Sequence, residues 1–144
     1  MSVREKVAQN LVDSLQGITD PLKVKYVTRE PFDFEKLSNA QFPAILVRTS
    51  DEDRNDSTVG GTISQRMASI NYQLVCYVKG KTLDTLRNQI VEAVEEKLDN
   101  DRTRGSNAID TQILSIETDE GSIEPIGGVI ITLRVQYSYT RGTV

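Results

Sequence analysis

Val129-Ile130-Ile131-Thr132-Leu133-Arg134-Val135-Gln136-Tyr137-Ser138-Tyr139 is the stretch that decides the fold. Val129, Ile131, Leu133, Val135, Tyr137 and Tyr139 alternate with Ile130, Thr132, Arg134, Gln136 and Ser138. Successive side chains of a strand point to opposite faces, so this period of two predicts a strand with one apolar face. A second long alternation runs from about 63 to 79. Ile70, Tyr72, Leu74, Cys76 and Val78 share one face there, and Asn71, Gln73, Val75, Tyr77 and Lys79 the other. Unbroken, it would extend roughly 50 Å at about 3.3 Å per residue. That exceeds an ordinary strand. The expectation is therefore a bent strand, or a hairpin arm over 60–68 that stands off the body.

Outward from these strands the pattern changes period. Val3, Val7, Ala8, Leu11, Val12 and Leu15 recur every three or four residues and predict an opening helix. Ser2 is its N-cap candidate, with Glu5 completing a capping box, and Gly17 its stop. Leu83, Leu86, Ile90, Val94 and Leu98 predict a second helix, capped by Thr82 and ending near Asp99-Asn100. Shorter strands fit 22–29, 44–47 (continuously apolar, as in a central strand) and 110–118, the last with Leu114 and Ile116 inward. Residues 50–61 are polar and acidic and end in Gly60-Gly61, which predicts a mobile loop. The order is α-β-β-β-α-β-β. Two one-sided helices must bury their stripes somewhere. The fold class is therefore α+β: a mostly antiparallel sheet of about five strands with two helices packed on one face. Residues 1–144 read as a single domain, with a projecting arm or loop at 50–69.

Composition narrows the chemistry. The chain has 144 residues, no histidine, one cysteine and a net charge of −4. Without histidine no Ser–His–Asp or Cys–His arrangement exists, and the usual acid–base group near neutral pH is missing. Cys76, mid-strand among apolar alternates, reads as a small buried hydrophobe rather than a nucleophile. Asp51, Glu52, Asp53 and Asp56 could hold a hard cation, but they lack the glycine and closing glutamate of a calcium loop. A solvated acidic loop is the better reading. Asp99, Asp101 and Asp110 lie near Arg102 and Arg104, which read as their ion-pair partners. An acidic chain is not built to grip phosphates. No segment reaches the about 18 apolar residues of a membrane span, and no apolar leader precedes the first helix, so the chain is expected to remain in the cytoplasm where it is made. The reading is no enzyme, no cofactor and no metal.

Contact surface is what remains. Val75 and Tyr77 on the second face of the 70–78 strand, and Ile130 on that of the last, imply cover on both sides of the sheet. Two helices cover one side, so the other is expected to meet a sister copy in a heterologous contact that closes a ring. The candidate interface residues are Asp51, Glu52, Asp53, Arg54, Val59 and Ile63 in the arm. Val75, Tyr77 and Ile130 belong to the second face, and Glu120 and Ile123 to the 119–128 loop.

The chain resembles the tail terminator (tail completion) proteins of long-tailed phages, the lambda-type minor tail protein family and its relatives in contractile tails. The likeness is carried by order and spacing. Its parts are the opening helix at 3–15, the phrase Phe42-Pro43-Ala44-Ile45-Leu46-Val47 with its acidic loop, the strand Ile70-Asn71-Tyr72-Gln73-Leu74-Val75-Cys76-Tyr77-Val78, the helix opening Leu83-Asp84-Thr85-Leu86-Arg87-Asn88-Gln89-Ile90, and the strand at 129–139. The resemblance implies a homohexameric ring in the virion, assembled in the host cytoplasm. Such a ring binds the last ring of the tail tube protein, stops polymerisation and presents a docking face to the head–tail connector protein. In contractile tails it also meets the tail sheath protein. DNA passes through its lumen without specific binding. The alternative is a head–tail connector or head-completion (neck) protein of the same particle. A metal-dependent enzyme using Asp51, Asp53 and Asp56 is the competing class.

Overall fold

The structure, a computed structural model, describes residues 2–56, 65–118 and 125–140. Its elements are α1 (Val3–Gln16), β1 (Tyr26–Thr28), β2 (Ala44–Asp56), β3 (Gln65–Lys79), α2 (Leu83–Asp99), β4 (Asp110–Thr118) and β5 (Ile126–Thr140). Two single-turn 3-10 helices lie between β1 and β2. The strands form one sheet in the order β1-β2-β3-β5-β4. β1 pairs with β2 in parallel, and every other pair is antiparallel.

The alternation in β3 and β5 does the sorting. Leu74 lies opposite Ile131, Tyr72 opposite Leu133 and Ile70 opposite Val135. All six are buried. They pack with Val7, Leu11 and Leu15 of α1 and with Ile90, Val94 and Leu98 of α2 in one core, so both helices lie on one face of the sheet. Burying an aliphatic side chain of this size contributes about 1.5–3 kcal/mol. A one-residue slip of either strand would turn the whole set outward, which fixes the register.

The ends of the helices follow the sequence in part. The Ser2 hydroxyl accepts the Glu5 N–H at 3.1 Å, as a capping residue should. Glu5 does not complete a capping box. Its carboxylate instead takes the Arg29 guanidinium at 2.6 and 3.1 Å, tying α1 to the end of β1. Thr82 precedes α2 at the cap position without a side-chain bond.

Four local expectations are corrected. β2 runs on to Asp56, so residues 50–56 are strand and not loop. Ladder bonds are made by the backbone, and β3 offers one partner strand on each side. An acidic strand at this place is satisfied once Asp51 and Asp53 reach solvent. Residues 65–69 of β3 likewise lie between β2 and β5 and not in a free-standing arm. The remainder of that arm, 57–64, lies outside the described residues.

In β4 Thr111, Ile113 and, as expected, Ile116 opposite Ile131 take the face towards the helices, and Leu114 does not pair there. Leu114 and Ile116 are 43% and 41% exposed. The register shifts between Ile113 and Ser115, and this bulge breaks the period of two. Finally, Arg104 is not an ion-pair partner of the neighbouring carboxylates, whereas Arg102 holds Asp110 at 2.7 and 2.9 Å. Arg104 is fully buried and donates to the carbonyls of Leu98 and Asp101 and to Asn10. It thereby closes the C-terminal end of α2, where carbonyls lack helical partners. Burial lowers its pKa.

Candidate assembly surface

The sheet face away from the helices carries the expected contact residues. Register places Leu46, Val75 and Ile130 in one row across β2, β3 and β5, and Ala44 beside Tyr77 in the next. Val75 is 7% and Leu46 5% exposed, so the chain covers these two by itself. The segment between β1 and β2 reaches this face: Phe32 meets Tyr77 edge-on at 5.8 Å and Tyr26 at 5.6 Å. Val75 therefore does not wait for a neighbouring copy. Tyr77 and Ile130 remain half-buried. Further along, the same face is polar, with Arg48 bonded to Gln73, and Arg134 opposite both Asn71 and Gln112.

The acidic residues divide by the bulge in β2, where register shifts between Thr49 and Glu52. Asp51 is exposed and accepts a bond from the Asn71 side chain at 3.1 Å, which holds its carboxyl below the usual range. Asp53 is exposed beside Ser69. Glu52 turns the other way. Its side chain is only 11% exposed and meets Arg54 at 2.5 Å and Arg4 at 3.2 Å. It also accepts the Tyr137 hydroxyl at 2.9 Å. Arg54 in turn lies over the Tyr139 ring, 4.8 Å from its centroid. Burial, reinforced by the bond to Glu52, pushes the Tyr137 phenol up to about 12. Glu52 and Arg54 thus join α1, β2 and β5 within the chain. Val59, Ile63, Glu120 and Ile123 lie outside the described residues.

Sequence reasoning missed the free edge. Ile109, Leu114 and Ile116 are the exposed large hydrophobics among the described residues, and all lie on or beside β4, one of the sheet's two edge strands. A groove of about 600 Å³ runs between this strand and α2, lined by Glu95, Asp99, Ile113, Leu114 and Ile116 among others. The signal was available in the doublet Ile113-Leu114, since two adjacent large apolar residues break strand alternation.

Chemistry is sparse elsewhere. Cys76 is buried, and burial pushes its thiol up to about 12, far from a reactive thiolate. Among the described residues, no three histidine, cysteine, aspartate or glutamate side chains gather as metal ligands.

No protein-family model and no curated protein matches the chain. A chain from a solved structure of the virion of a native gene transfer agent particle aligns with 96% of this chain and 92% of its own length. The identity is 10% and the TM-score 0.43.

Proposed function

We propose that the chain is a structural protein of a phage-like virion, whose copies form a ring that caps the head-proximal end of a tail tube. The ring ends tube polymerisation and offers the surface to which the head connector docks. The observation that carries this reading is the β4 edge. A nine-residue edge strand, paired on one side only among the described residues and flanked by exposed hydrophobics, invites pairing with another chain. Proteins tolerate such an edge where a partner covers it. The likeness of the sequence to tail terminators names that partner as a sister copy, and the expected ring is a hexamer. With no histidine and an inert thiol, the chain is read as working by contact and not by catalysis.

Electron microscopy of tail preparations tests the proposal. Antibody-labelled protein should mark the head-proximal tube end, and particles lacking it should carry tubes of uncontrolled length without heads. Labelling of the head vertex in the absence of tails would assign it instead to the neck. Labelling of neither would end the virion reading.

A further inference from the structure

We propose that successive copies join by seating the acidic α2–β4 edge of one copy in a lysine-rimmed groove at the β1–β2 end of the next. This rests on the ring reading and names the surfaces that build it.

The groove has a volume of about 450 Å³. Leu22, Pro43 and Leu86 contribute its partly exposed apolar surface, and Lys23, Lys25 and Lys79 are its charges. Among the described residues, no carboxylate lines it. Lys79 is held in place by Asn39 at 2.6 Å and stands over the Phe42 ring, 5.6 Å from its centroid. Lys23 and Lys25 are exposed.

The α2–β4 edge is its complement. Leu114 and Ile116 supply apolar surface, and Glu92, Glu95 and Asp99 line the space along α2. The nearest cation, Arg102, is engaged by Asp110. The two surfaces share no residue. A contact between two different patches is heterologous, and repetition of it closes a ring or extends a filament. Two-fold pairing of β4 with itself would instead set these carboxylates near their own copies, where like charges oppose association.

The test uses the full chain and two double variants at exposed or half-exposed positions. K23E/K25E makes the groove acidic, and E95K/D99K makes the edge basic. Circular dichroism checks that both fold, and sedimentation velocity reads their assembly against concentration. Each variant alone should need at least about tenfold more protein to assemble than the wild type. Mixed in equal amounts they should reassemble, because each supplies the patch that the other now requires, in rings that alternate the two. Wild-type assembly by both single-patch variants overturns this interface and leaves the ring reading standing. Weakening by one of the two variants alone overturns it too. A wild type that stays monomeric overturns both this interface and the ring.

Discussion

Replacing Glu52 by glutamine should destabilise the protein far more than any neighbouring acidic substitution. Its carboxylate accepts from Arg54 at 2.5 Å and from the Tyr137 hydroxyl at 2.9 Å, and meets Arg4 at 3.2 Å. The amide keeps one acceptor oxygen, so its NH₂ falls either against Arg54 or against Arg4 and the Tyr137 hydroxyl. In either orientation one guanidinium loses its acceptor, and the fully buried Tyr137 hydroxyl cannot turn to water instead. Breaking a fully buried ion pair costs about 3–5 kcal/mol. Here the Arg54 and Arg4 side chains are 27% and 44% exposed, which returns part of their hydration. The expected cost is about 1.5–3 kcal/mol. For a chain of this size that lowers Tm by several degrees, at roughly 3–5 °C per kcal/mol. Asp53→Asn, one residue on and exposed, should stay within about 0.5 kcal/mol of wild type. Urea unfolding followed by tyrosine fluorescence at one fixed protein concentration measures both, since assembly would otherwise shift the midpoint. Equal effects for the two variants, or none for Glu52→Gln, would refute the assignment of Glu52 as the link between α1, β2 and β5.

Alkaline pH should weaken the fold early. The Cys76 thiol moves from 9.0 to about 12 and the Tyr137 phenol from 10.0 to about 12 on folding. Both raised values favour the folded state fully below pH 9, and that stabilisation is lost as pH rises from 9 towards about 12. Each group can remove up to about 1.4 kcal/mol per pH unit within its interval. Cys76→Val should flatten the decline of the urea midpoint between pH 9 and 10, and an unchanged slope would contradict this. In acid the sign reverses. Glu5 and Asp110 are held low by Arg29 and Arg102, so their contributions exist above the ordinary carboxylate range and fade as pH falls through the lowered values. Both pairs are exposed, so molar salt should shrink the acid effect, as thermal melts at pH 3 to 6 would show. Arg104→Met should cost about 2–4 kcal/mol by orphaning the carbonyls of Leu98 and Asp101. Wild-type stability in that variant would show that the end of α2 is closed some other way.

The fold was legible wherever period alone decides it. The two helical stripes, the β3 and β5 alternations and the order of elements all follow from spacing, because burial of one face is what both helix and strand must satisfy. Composition misled where the backbone rules. Residues 50–56 are acidic enough to read as loop, yet pairing with β3 holds them in the ladder. The bulges in β2 and β4 were invisible to a strict period of two, and each reassigns a set of side chains. One turns Glu52 inward between exposed Asp51 and Asp53, and the other turns Leu114 out to solvent. The approach of Phe32 to Tyr77 was not foreseen, because the path of the chain between β1 and β2 shows no periodicity. The lysine-rimmed groove draws residues from 22 to 86, a convergence that only the folded chain displays.

Sedimentation equilibrium of the purified chain across the micromolar range weighs directly on whether exposed β4 is covered by sister copies. A closed species of about six times 16.1 kDa, with no growth beyond it, is the expected result. A single component of 16.1 kDa at every concentration would contradict it.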